Sequence, residues 1–221
     1  MKTRFLQCFW PPALAYFTNR AIELRRAQHG TKTLWAEIKQ ETQEVVTAIS
    51  DDATITQFAN EVAQSELKRK ETIESKASII TQAAGLAVSI AALAPATLGK
   101  PWILSSGWTL AALIVYCASL LHLIIGVYYA TKARRVRDYT MPSADGFVAL
   151  LKNSKSQNLK RDLIVQKIAE SKWNEDALTI KGNFLSVSED MFLRGLSFFS
   201  VSMVIALLGT AGEVILQKLA F

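Results

Sequence analysis

Hydrophobic and charged positions are unevenly spread along this chain. Ala77–Gly99 holds no Asp, Glu, Lys or Arg, and neither does Pro101–Thr131 or Gly195–Gly212. A helix needs about 20 mostly apolar residues to cross roughly 30 Å of hydrocarbon. The first two stretches exceed that length. The third reaches it only by taking in Arg194 or Glu213. The pattern predicts three transmembrane helices, over residues 78–97, 107–130 and 193–215. Trp108 and the pair Tyr128/Tyr129 bracket the second at the spacing of two interfacial belts, and Trp102 fits the same outer belt as Trp108. The turn-rich run 97–107 closes a tight hairpin between the first two spans.

Outside these stretches the periodicity is helical, with no convincing β-alternation and no internal repeat. Residues 1–30 read as an aromatic arm (Phe5, Phe9, Trp10, Tyr16, Phe17) with one charged helical turn at Glu23–Arg26, ended by Gly30. Leu34, Ile38, Val45 and Ile49 place one apolar face on a helix over 31–49. Ser50-Asp51-Asp52 stops it and caps the next. From there no Gly or Pro occurs until Gly85. Ile55, Phe58, Val62, Ile73, Ala77 and Ile80 predict one helix over 53–95, running from the cytosol into the first span. Glu66 and Lys70 form a favourable i,i+4 pair on it. Met141-Pro142-Ser143 makes a turn, followed by a short helix at 143–152 and a polar linker at 153–158. A further helix begins near Leu159. On it Trp173, Ala177, Ile180, Phe184, Val187 and Met191 step by 4, 3, 4, 3 and 4, a coiled-coil seam that needs a partner. The 53–76 helix is the simplest partner, as antiparallel neighbour or as mate in an oligomer. Gly182-Asn183 is a candidate kink.

Charge sets the orientation. Lys and Arg number 11 in residues 1–76 and 11 in 131–190, whereas the hairpin has only Lys100 and the C-terminal end only Lys218. Basic loops stay cytoplasmic. The N-terminus and the 131–190 region are therefore expected inside, the hairpin and the C-terminus outside. The net charge of +6 and pI of about 9.3 then reflect topology, and nucleic acid need not be invoked. Half of the residues are hydrophobic and 20% are charged, which argues against disorder. Phe5–Phe17 is broken by Pro11-Pro12 and has no small-residue cleavage site after it, so a signal peptide is a poor reading. The fold class is thus an all-α membrane protein, a transmembrane hairpin plus one span, with cytoplasmic helices continuous with spans one and three. Its parts are an arm and amphipathic helix at 1–52, a long helix entering the hairpin at 53–137, a cytoplasmic helical region at 138–192, and the third span with a short tail at 193–221.

Two Cys and two His leave little material for a disulfide framework or a metal site. Cys8 and Cys117 are expected to be reduced and inert. No phosphate-binding glycine loop, nucleophile elbow or HExxH motif is present, so no catalysis, cofactor or metal is expected. Polar or small groups at membrane depth or its edge remain: Gln82, Gly85 and Ser89 in the first span, His122 in the second, Ser202 and Glu213 in the third. Each is a candidate for lining a conduction path or for packing helices. Small residues recur at i,i+4 in Ala83/Ala87/Ala91, Thr81/Gly85/Ser89 and Ser202/Ala206/Thr210, the pattern that lets helix backbones approach in lipid. Basic groups beside the spans anchor them to anionic headgroups, or hold a phosphorylated ligand. The candidates for the second role are Arg134, Arg135, Arg137, Lys155, Lys160 and Arg161.

The run Glu66-Leu-Lys-Arg-Lys-Glu71-Thr-Ile-Glu74-Ser-Lys76-Ala77-Ser feeds directly into a span and a tight hairpin. With its E-x-K-A step, and with the later helix carrying Asn174, Lys181 and Ser186, it resembles the small transmembrane effectors of bacterial anti-phage systems. These are the SLATT-type proteins and the membrane effectors of nucleotide-signalling systems. The likeness covers residues 66–137 and 159–212, and the long N-terminal region 1–65 departs from it. The resemblance implies a homo-oligomer in the bacterial inner membrane that forms a pore once infection is sensed. The trigger would be a nucleotide or oligonucleotide signal, or a cytosolic synthase or sensor protein. Two other readings stand beside it: a non-conducting scaffold that docks a cytosolic partner through the coiled seam, and a membrane enzyme using His122 or Glu213.

Overall fold

A computed structural model of the chain describes residues 11–49, 51–97, 107–135 and 159–219. The regular elements among them are all α-helices: α1 (Pro11–His29), α2 (Thr31–Ala48), α3 (Asp52–Thr97), α4 (Gly107–Arg134) and α5 (Leu159–Leu219). The hairpin turn, the 143–152 helix, the 153–158 linker and the beginning of the aromatic arm lie outside the described residues.

Local chemistry explains the helix boundaries. The arm is more helical than one charged turn: α1 covers 19 residues. Pro11 and Pro12 stand at its start, where a missing N–H costs nothing and a fixed φ suits the helix. Gly30, at φ 69°, joins α1 to α2, and its carbonyl accepts the Leu34 N–H at 3.1 Å. An L side chain rarely adopts that φ, which is why glycine stands at the joint. Asp51 caps α3, taking the Ala53 N–H at 3.0 Å on Oδ1 and the Thr54 hydroxyl on Oδ2. The chain stays helical through Gly182 and Asn183.

The chain forms two compact units, one of Met1–Ser75 with Arg135–Asn183 and the other of Lys76–Arg134 with Phe184–Phe221. In the first, the opening parts of α3 and α5 run side by side. Arg161 meets Asp52, Lys167 meets Asn60 and Lys181 meets Glu74, at sequence offsets of 109, 107 and 107. A constant offset means parallel helices, so the antiparallel pairing expected for the 53–76 helix is corrected. The cause is where the apolar residues lie. Ile55 and Ala59, early in α3, share a core with Ile164 and Val165, early in α5, and with Val46.

α1 and α2 run antiparallel to α5. Asn19 bonds Asn183, Arg26 bonds the Trp173 carbonyl, and Glu41 pairs with Lys172. The buried face of α2 is not the expected one. Thr42 and Val46 are buried, whereas Val45 and Ile49 are exposed, as is Phe58 on α3. Ile38, Thr42 and Val46 form an i,i+4 row, and packing selected that row over the Val45 face beside it.

In the second unit α4 runs antiparallel to the later part of α5. Among the described residues, two helices are long and apolar enough to cross a membrane, Gly107–Arg134 and Leu159–Gly209. Only 22% and 17% of their most apolar stretches are buried within the protein, so most of that oily surface faces outward. The expected first span, 78–97, lies on α3 and is not one of the two. The side chains of its last residues, 92–97, are outside those described.

Candidate functional site

α4 and α5 meet along small residues spaced by seven. Ser188 Oγ donates to the Gly126 carbonyl at 2.8 Å, Ser119 Oγ to the Gly195 carbonyl at 2.7 Å, and Ser202 Oγ to the Ala112 carbonyl at 3.0 Å. Each step is seven residues down one helix and seven up the other, a left-handed supercoil repeat read antiparallel. The backbones are close. A β-carbon on Gly126 would lie 3.3 Å from the Phe192 nitrogen, and one on Gly209 would lie 3.0 Å from Trp108 Cβ. Where apolar surface gives no drive to associate, dispersion at such close approach and hydroxyl-to-carbonyl bonds hold helices together. Ser202 therefore lies in a buried contact within one chain. α3 joins this unit through Tyr116, whose hydroxyl donates to the Ala91 carbonyl at 2.9 Å.

His122 is half-buried on α4. Its Nδ1 lies 2.7 Å from the Ala118 carbonyl, and its ring packs 5.0 Å from Phe198. A carbonyl only accepts, so Nδ1 carries the hydrogen. The first-span candidates point elsewhere. Gln82, Gly85 and Ser89 are exposed, and with half-buried Ser78 they step by 4, 3 and 4 along one face of α3. Nothing lies within 4 Å of a β-carbon placed on Gly85, and Ser89 Oγ turns back to the Gly85 carbonyl at 2.9 Å. The structure thus brings Gln82, Gly85 and Ser89 onto one outward stripe and leaves His122 and Ser202 in other packing. The Glu213 side chain is outside those described.

Arg161 pairs with Asp52 at 2.9 Å. Lys160 is exposed, and its charge acts on Asp51. The Thr54 hydroxyl and the Ala53 amide are the main causes that hold the Asp51 carboxyl below its ordinary range. Lys160 and Arg161 thus face carboxylates, which offsets the charge a phosphate would need. Arg134 and Arg135 are exposed. Lys155 and Arg137 lie outside the described residues.

The first unit contains a buried polar seam that periodicity alone did not reveal. Glu170, Ser171, Asn174 and Lys181 are all buried on α5. Lys181 Nζ donates to Glu74 Oε1 at 2.9 Å. Gln166 donates to Glu170 at 2.9 Å. Arg26 lies 4.9 Å above the Trp173 ring while its guanidinium bonds the Trp173 carbonyl and Asp176. Trp35 packs edge-on against the same indole. The Glu66 carboxyl is pushed above its ordinary value mainly by burial, with Glu175 and Glu170 adding to the rise and the Ser171 hydroxyl and Arg69 opposing it. Burial likewise raises Glu170.

These shifts have a sign in stability. A carboxyl whose folded pKa is raised binds a proton more readily when folded, so its contribution is fully present below the unfolded value of about 4.5 and is lost as pH rises through the folded value. Glu66→Gln is therefore expected to raise stability at neutral pH and to flatten the pH dependence above about 4.5. Thermal unfolding followed by circular dichroism between pH 4 and 8 checks this. Equal melting shifts at every pH would contradict it.

The small-residue heptad was present in the sequence as Ser188, Gly195, Ser202 and Gly209 against Ala112, Ser119 and Gly126. An i,i+4 search passes over it. The Glu74–Lys181 pairing left no local signal. No protein-family model, curated protein or solved structure matches the chain.

Proposed function

We propose that this chain is a membrane effector of bacterial anti-phage defence that assembles as a homo-oligomer and opens a pore in the inner membrane. It crosses the bilayer at 78–97, 107–130 and 193–215, with the N-terminus inside and the C-terminus outside. The observation that carries the reading is the outward stripe of Ser78, Gln82, Gly85 and Ser89 on an otherwise apolar helix face. A glutamine amide facing hydrocarbon is costly unless it finds a partner or water. A second copy of α3, or a water-filled axis between copies, supplies one. Gly85 leaves room for close approach.

The parallel course of α3 and α5 in the first unit suits this topology, because first and third spans cross in the same direction. Control falls to the cytoplasmic first unit, through a nucleotide or oligonucleotide ligand or a partner protein. Moving a closed pore from about 1% to 99% open takes roughly 5.5 kcal/mol of differential binding, which several subunits share.

Two measurements test the proposal. In a background lacking Cys8 and Cys117, Ser89→Cys is expected to cross-link into dimers under oxidation in membranes, and Ile114→Cys on exposed α4 is not. Triggered or overexpressed protein is expected to depolarise cells carrying a potential-sensitive dye and to arrest growth, and Gln82→Leu is expected to abolish both effects. Cross-linking without any change in polarisation would turn the reading to a non-conducting scaffold. Absence of both would end it.

A further inference from the structure

The second unit has a lateral groove of about 310 Å³, lined by Lys76, Ile79, Ile80, Glu189, Phe192 and Leu193. Its walls are oily and open: Ile79 and Leu193 are each 61% exposed, and Ile80 is buried. One end carries two opposite charges. Lys76 Nζ lies 3.9 Å from Glu189 Oε1, a loose ion pair with both side chains about half exposed. At that separation the two do not form a tight charge-assisted hydrogen bond, which needs about 2.7–2.9 Å. Each retains capacity for another partner.

We infer that this groove binds a single phospholipid with an aminoalkyl phosphate headgroup, of the phosphatidylethanolamine kind. The inference rests on the membrane reading above. Lys76 stands two residues before the first proposed span and Glu189 four before the third, so both lie at headgroup depth. An acyl chain fills the apolar length along Ile79, Phe192 and Leu193. The headgroup is a zwitterion, and the site offers its mirror image. The Lys76 ammonium donates to the phosphate oxygens, and the Glu189 carboxylate accepts from the primary ammonium. A choline headgroup has no N–H to donate, and a glycerol headgroup has no cation for Glu189. Residues 76, 79 and 80 lie on average about two-fifths of a turn around α3 from Ser78, Gln82, Gly85 and Ser89. Lipid on one face and a second copy on the other are therefore compatible.

Native mass spectrometry of the purified full-length protein tests this, with phosphatidylethanolamine, phosphatidylcholine and phosphatidylglycerol of identical acyl chains added together in detergent. One phosphatidylethanolamine per chain is expected to be retained, with about tenfold preference over the other two, the size expected from one charged hydrogen bond. Glu189→Gln should erase the preference, Lys76→Gln should lower retention of all three lipids because each carries the phosphate, Lys76→Arg should keep both retention and preference, and Ile79→Trp should reduce retention of every lipid. Equal retention of the three headgroups, preference for phosphatidylglycerol, preference untouched by Glu189→Gln, or retention untouched by Lys76→Gln overturns the inference. Carbonate extraction of membranes separates the two levels. Release of the chain to the supernatant sinks the membrane reading together with the groove, whereas a chain that stays in the pellet without the preference sinks the groove alone.

Discussion

Gly195→Ala is expected to destabilise the protein by about 1–3 kcal/mol, and Gly182→Ala to stabilise it by up to about 1 kcal/mol. Both glycines lie inside α5, so the gain in helix propensity is the same. Their surroundings differ. A β-carbon at Gly195 would stand 2.8 Å from Leu123 Cγ and Cδ2 and 3.2 Å from the Leu123 nitrogen, while at Gly182 nothing lies within 4 Å. Leu123 is itself buried, 1% exposed, so its side chain has little room to yield. The added methyl forces α4 and α5 apart and lengthens the Ser119 hydroxyl bond to the Gly195 carbonyl. Thermal unfolding of the two variants in the same detergent decides the matter. Melting shifts of the same sign would refute close packing of α4 on α5.

The second large effect concerns Lys181 and Glu74. Glu74→Ala is expected to cost about 3–5 kcal/mol, because the ammonium left behind is buried. Lys181→Met should cost less, on the order of 1–2 kcal/mol, because the carboxylate it leaves reaches water. The asymmetry follows from side-chain exposures of 4% for Lys181 and 33% for Glu74. The double variant Glu74→Leu/Lys181→Met should recover most of the loss, since replacing both members of a buried pair with apolar groups is often neutral. Chemical denaturation of the four proteins forms a double-mutant cycle. Equal costs for the two single variants, or additive loss in the double, would show that the pair is not the buried contact described here.

Both effects depend on contacts that no local pattern announces. Val45 and Val46 are adjacent and equally apolar, and sequence periodicity preferred Val45. Val46 is buried because Ile164 and Val165 lie across from it. Trp173, Ala177, Val187 and Met191 of the expected seam are buried, yet the helix beside their first turns runs in the opposite direction to the one expected. Periodicity identifies an apolar face but carries no information on the direction of the partner. Charge patterning offered Lys160 and Arg161 as candidates for holding a phosphorylated ligand. Asp52, 109 positions away, pairs with Arg161 instead, and the charge of Lys160 acts on the capping carboxylate Asp51.

The sequence by itself determined the helical class, the breaks at Gly30 and at Asp51, the uncharged stretches, and the capacity of α4 and α5 to cross a bilayer. Each depends on the few residues adjoining it: a capping carboxylate, a glycine at positive φ, or a long absence of charge. Tertiary structure alone decided the parallel course of α3 and α5, the pairing of Ser119, Ser188 and Ser202 with carbonyls across the α4–α5 contact, and the burial of Lys181 against Glu74. Those outcomes depend on groups roughly 60 to 110 positions apart, brought together by burial of apolar surface, which is non-directional and acts without regard to chain order.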